Sequence, residues 1–170
     1  MAKIADSRPT GSTTERQIAS FEKYIGFSLP ADYRRFLLEH NGGRPVPDAF
    51  MIRNDRRKEE DIVHCFFPLR SRSLGHVEGD ELREWPLHCA WDDLQNDLKN
   101  LYEKELDPPL LPIGTDGSGN YISLVLAGDK AGAVVFLEHE LAEDQPLASS
   151  FTKFLDSLKP RRRTDYADDL

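Results

Sequence analysis

Two stretches of the chain and one pair of cysteines carry ligating or nucleophilic side chains. The densest is Glu138-His139-Glu140, residue types that metal hydrolases use to hold a metal and its activated water. The spacing works against that role, because a strand sends His139 to the opposite face from both glutamates. The second is Asp116-Gly117-Ser118-Gly119-Asn120, which spaces oxygen side chains at alternate positions as the start of a calcium loop does. A calcium loop of that type needs a bidentate glutamate where this chain has Ala127, inside a run that reads as strand. The segment is therefore expected to be a turn whose Gly, Asp and Asn residues accept positive φ. The third is Cys65 and Cys89. Neither has a Cys or His at ligand spacing, and Cys65 lies in the apolar run Ile62-Val63-His64-Cys65-Phe66-Phe67, so two reduced, packed thiols are expected. The sequence has no nucleophile elbow, phosphate-binding loop, dinucleotide fingerprint or HExxH helix. The expectation is thus no catalytic residue, no metal and no cofactor. A metal-dependent hydrolase built on His139 stands as the least favoured alternative.

Charge offers a different kind of candidate. The formal net charge is −8, and the stretch from Glu78 to Asp107 alone carries ten acids against three bases, a net −7. Arg44 to His76, with seven bases against five acids, is mildly positive. A nucleic-acid binder would show a clustered basic face, so direct nucleic-acid binding is not expected. An acidic face attracts a basic protein instead. The candidate partner-binding residues are Glu78, Asp80, Glu81, Asp92, Asp93 and Asp97, with Trp85 as an aromatic anchor, because aromatics carry more interface energy than rim charges. Trp91 is expected in the core.

These residues need a scaffold, and its outline follows from periodicity. Residues 1–11 show no apolar pattern and are expected to be a flexible lead-in. No signal peptide or membrane span of roughly 18 apolar residues is seen, so a cytoplasmic location is expected. Ser12 and Glu15 match a capping box before Ile18, Phe21 and Ile25, with Gly26 as a stop. A second helix after Pro30 has Tyr33, Phe36 and Leu37 as its apolar side and ends at Asn41-Gly42-Gly43. Strands are expected at 49–52, 62–69, 121–127 and 133–137, the last two joined by the hairpin loop Gly128-Asp129-Lys130-Ala131-Gly132. The charged insert from Arg53 to Asp61 reads as a solvated turn. Leu94, Leu98, Leu101 and Tyr102 mark a third helix, entered near Leu87 or Trp91 and ended by Asp107-Pro108-Pro109, and Phe151, Phe154, Leu155 and Leu158 mark a fourth. The expected organisation is a flexible segment 1–11, a domain 12–159 and a charged tail 160–170. Its class is α+β, a mixed, mainly antiparallel sheet packed by about four helices.

In order along the chain, Ile18-x-x-Phe21-Glu22-x-x-Ile25-Gly26-x-x-Leu29-Pro30-x-Asp32-Tyr33-x-x-Phe36-Leu37-x-x-x-Asn41-Gly42-Gly43 resembles the opening of the SUKH superfamily. Leu111-Pro112-Ile113-Gly114-x-Asp116-Gly117-x-Gly119-Asn120-x-Ile122, Gly132-x-Val134-x-Phe136 and Ser150-Phe151-x-x-Phe154-Leu155 continue the likeness, over about residues 14–158. The stretch from Arg53 to Leu106 departs from it. The resemblance implies an α+β interaction domain without enzymatic activity. Bacterial members look like immunity proteins that occlude a cognate protein toxin, often a nuclease; eukaryotic members bind endogenous regulatory proteins.

Overall fold

The computed structural model describes residues 2–6, 13–53, 58–70, 85–100, 106–138 and 143–162. In chain order the elements are β1 (Lys3–Ala5), α1 (Glu15–Ile25), α2 (Ala31–Glu39), β2 (Arg44–Val46), β3 (Ala49–Arg53), β4 (Lys58–Ile62), β5 (Cys65–Phe66), α3 (Leu87–Asn100), β6 (Leu110–Thr115), β7 (Tyr121–Val125), β8 (Val134–Glu138), β9 (Glu143–Ala148) and α4 (Phe151–Ser157). The class is α+β. One five-stranded sheet runs β5-β6-β7-β8-β9, beside the pairs β1-β2 and β3-β4, and every ladder among the described residues is antiparallel.

The five-stranded sheet is buried on both faces, and strand alternation shows how. Leu111, Ile113, Ile122, Leu124, Val134 and Phe136 face the main core with Ile18, Phe21, Tyr33, Phe36, Leu37, Phe151 and Phe154 from α1, α2 and α4. Their neighbours Leu110, Val125, Val135 and Leu137 face the other way and are covered by Leu94 and Leu98 of α3. A sheet packed on both sides needs apolar residues at every position, which is why β6 is buried throughout. The main core is rich in aromatic rings: Phe151 meets Tyr33, Phe36 and Phe66 with centroids 5.0, 4.9 and 5.4 Å away, all edge-on.

The helices begin and end for local reasons. α1 is capped by Thr14, whose hydroxyl accepts from the Gln17 N–H while the Gln17 amide oxygen accepts from the Thr14 N–H at 2.9 Å. The box is therefore Thr14–Gln17, and not Ser12–Glu15 as expected. Gly26 ends the helix with φ 81°. α4 is capped twice: its own Ser150 accepts from Lys153 N–H, and Asp32, from α2, accepts from Thr152 N–H at 2.9 Å.

Buried and half-buried polar residues tie loops to this frame. Glu22 accepts from the Leu29 N–H at 2.7 Å and pairs with Arg34 at 2.6 Å, and Arg34 also reaches Glu15. Burial would raise the Glu22 carboxyl, but the Arg34 and Leu29 bonds outweigh it and hold it below its ordinary value. Asn41, with φ 48°, accepts from the Leu69 N–H at 2.7 Å and donates to the Leu69 carbonyl at 3.1 Å. Two glycines let backbone pass. A Cβ on Gly114 would lie 2.6 Å from the Cys65 carbonyl oxygen, and one on Gly42 3.0 Å from that of Phe66. β5 thus runs between Gly114 on one side and the Gly43–Phe66 bridge on the other.

Several expectations change. Lys3–Ala5, placed in a flexible lead-in, pairs with Arg44–Val46, and Ala2 is buried with its N–H donating to Leu155. A three-residue strand gives no readable period. The charged insert is half strand: Lys58–Ile62 pairs with Ala49–Arg53, with Lys58 and Glu59 exposed and Glu60 and Asp61 half-buried; 54–57 lie outside the described residues. The predicted strand 62–69 is split: Ile62 ends β4, and Cys65–Phe66 alone forms β5, with Pro68 lacking the N–H that would extend it. Leu110–Thr115 and Glu143–Ala148 are strands that were not foreseen as such. Of the tail, Pro160–Arg162 folds back over β3 and β4: Arg161 pairs with Asp48 at 2.6 Å and the Arg162 N–H donates to Glu60 at 2.9 Å.

Candidate functional site

α3 is fixed by two sets of apolar residues one face apart. Leu87 and Ala90 join the main core, and Leu94 and Leu98 lie on the other side of the sheet. This anchoring decides where its carboxylates go. Asp93 and Asp97, four residues apart, fall on one face and next to Tyr121, the first residue of β7. Trp85, just before the helix, donates to the Asp93 carboxylate, and both side chains are half-buried.

The charges leave their mark on ionisation. Burial pushes the Asp93 carboxyl up, the neighbouring Asp97 charge pushes it further and Asp92 adds a little, with the Trp85 bond in partial opposition. The Tyr121 phenol is pushed up to about 12, first by burial and then by Asp93 and Asp97. Tyr121 meets Phe67 edge-on at 6.4 Å, so its ring is anchored while its hydroxyl lies among the acids.

Asp92 is on a different part of the helix, where it accepts from the Tyr24 hydroxyl of α1. Adjacent helical residues are about 100° apart, so the sequence pair Asp92-Asp93 does not converge on one point. Glu78, Asp80 and Glu81 lie outside the described residues, as do His139 and Glu140. Trp91 is half-buried, packed on the main core and edge-on to Phe27 at 6.5 Å. Cys65 is buried and Cys89 half-buried, both as free thiols. Asp116 closes its own turn, accepting from Ser118 N–H at 2.7 Å and from Asn120. Sequence reasoning missed Tyr121 and Tyr24. The signal for Tyr121 was its parity with Ser123 and Val125, which places all three on the α3 side of the sheet.

Two carboxylates between an indole and a phenol make a surface that accepts hydrogen bonds and attracts cations. The aromatic rims supply flat apolar area and cation–π attraction to a guanidinium or ammonium group. Among the described residues no group of three His, Cys, Asp or Glu side chains could hold a metal ion, and no helix is long and apolar enough to cross a membrane.

The fold and the buried landmark residues define a SUKH domain. The chain belongs to the SMI1 / KNR4 family (SUKH-1), whose model matches residues 12–157. It is also similar to the SPbeta prophage-derived uncharacterized protein YokK of Bacillus subtilis (strain 168), at 26% identity over 156 residues, covering 85% of this chain and 74% of the relative.

Proposed function

We propose that the chain is a non-catalytic, cytoplasmic immunity protein that binds a basic protein toxin and neutralises it by covering its active site. The observation that carries the reading is Asp93 and Asp97 held together beside Trp85 and Tyr121, a charge arrangement the fold bears at a cost. Like charges four apart on a helix destabilise it by roughly 0.2–0.5 kcal/mol, and half-burying Asp93 adds to that. A cationic partner replaces the repulsion with attraction, which offsets the cost of burying Asp93. Family membership and a prophage-borne relative support the antidote role over other binding roles.

The test is growth rescue. Of a panel of cells that each express one basic bacterial toxin domain, at least one should survive when the chain is co-expressed, and the Asp93→Lys/Asp97→Lys variant should fail to protect it. Absence of rescue by the folded wild-type chain favours the regulatory alternative, in which the same surface binds an endogenous cytoplasmic protein.

A further inference from the structure

A second surface lies away from α3, with the opposite charge. β3 is paired with β4 on one side only. On its other side Ala49 exchanges both backbone bonds with Lys159, at 3.0 and 2.9 Å. In an antiparallel strand the N–H and C=O groups of alternate residues point the same way, so Met51 and Arg53 present theirs along the edge that Lys159 occupies at Ala49. Among the described residues, no backbone bond is made there.

That edge borders a groove of about 560 Å³, within the ~300–1,000 Å³ range of ligand sites. Phe50 and Phe154, whose rings meet at 5.9 Å, contribute apolar lining together with Leu147 and Pro146 of β9. Pro146 has no N–H, which blunts the β9 edge, as edge prolines do. At Met51 and Arg53 the β3 edge carries no proline. Three cations line the groove, and two of them, Arg53 and Lys159, are exposed and meet no carboxylate among the described residues. The third, Arg162, is neutralised by Glu60. The groove is therefore basic on a chain whose net charge is −8.

We propose that this groove takes an extended segment of a partner protein carrying an acidic side chain, which adds as a strand to β3 at Met51 and Arg53. Strand addition supplies main-chain affinity, and side-chain pockets supply selectivity. The apolar lining takes one side chain of the segment, and Arg53 and Lys159 hold a carboxylate close to it. The partner is a protein other than a second copy of this chain, and the site is independent of the acidic α3 surface.

The experiment uses the full chain against a display library of random octapeptides. The pool should become enriched in Asp or Glu near an apolar residue. An enriched peptide, synthesised alone, should shift and protect the Met51 and Arg53 amide resonances. It should bind Arg53→Glu/Lys159→Glu at least tenfold more weakly, and bind Asp93→Lys/Asp97→Lys as it binds the wild type. Met51→Pro, which removes an N–H that the β3–β4 ladder does not use, should weaken it too; the unchanged far-ultraviolet circular dichroism of each variant serves as the folding control. No enrichment, enrichment of basic peptides, undiminished binding to Arg53→Glu/Lys159→Glu or unmoved Met51 and Arg53 amides overturns the proposal. Sedimentation showing a dimer that Arg53→Glu/Lys159→Glu abolishes overturns it in favour of self-association.

Discussion

Asn41 is the residue whose removal should be most informative about the frame. Its side chain makes two bonds to Leu69 at a site only 2% exposed, and its backbone has φ 48°. Asn41→Gly keeps the left-handed conformation and leaves the Leu69 N–H and carbonyl without these partners. A buried group left unsatisfied costs about 1–3 kcal/mol, and water entering the vacated space recovers part of it, so a loss of about 2–4 kcal/mol is expected. Asn41→Ala loses the same bonds and adds a left-handed Cβ at about 1–2 kcal/mol. Alanine should thus be the worse substitution, although glycine is the poorer residue in most ordered positions. Urea unfolding at neutral pH, with equal slopes for the three proteins, measures both differences; for a chain of this length each kcal/mol also lowers Tm by about 2–4 °C. A loss under about 1 kcal/mol for Asn41→Gly, or an alanine variant as stable as the glycine one, would refute the reasoning.

Gly114→Ala places a Cβ 2.6 Å from the Cys65 carbonyl, between two paired strands, and should cost about 1–3 kcal/mol or more by overpacking; thermal unfolding reads it. Tyr33 is fully buried with its hydroxyl lacking a partner among the described residues, and burial pushes its ionisation far up. Tyr33→Phe should leave stability equal or raise it by up to about 1–3 kcal/mol, and a loss of 1 kcal/mol in urea unfolding contradicts that. Asp93 is raised in the folded state, so folding favours its protonated form. Its destabilising effect is absent below the unfolded carboxyl pKa and grows as pH rises through the folded one. Asp93→Asn should have a urea midpoint above the wild type at pH 7, with the gap closing towards pH 3.

The helices were legible because each carries its apolar stripe within one window: Ile18, Phe21 and Ile25, or Tyr33, Phe36 and Leu37, are the buried residues of α1 and α2. The β7–β8 hairpin was legible for the same reason. What escaped is non-local. Lys3–Ala5 is a strand only because Arg44–Val46 is there to pair with it. Leu110–Thr115 lies between layers and shows no alternation. The landmarks Glu22, Asp32 and Asn41 gave no hint that their partners would be Arg34, Thr152 and Leu69. At the candidate site, Trp85, Asp93 and Asp97 were singled out by type and charge, but helical phase turned Asp92 towards Tyr24 and sheet parity brought in Tyr121.

The central claim is that the acidic face of α3 docks a basic protein. Its most direct test is the association rate with a basic toxin domain that the chain is found to neutralise, measured for wild type and Asp93→Lys/Asp97→Lys from low to physiological salt. Over that range the screening length falls from about 30 Å to about 8 Å. Charge reversal should slow association at least tenfold at low salt, with the difference shrinking as salt rises. Equal association rates at low salt would contradict the account and leave the acidic face a solvated surface.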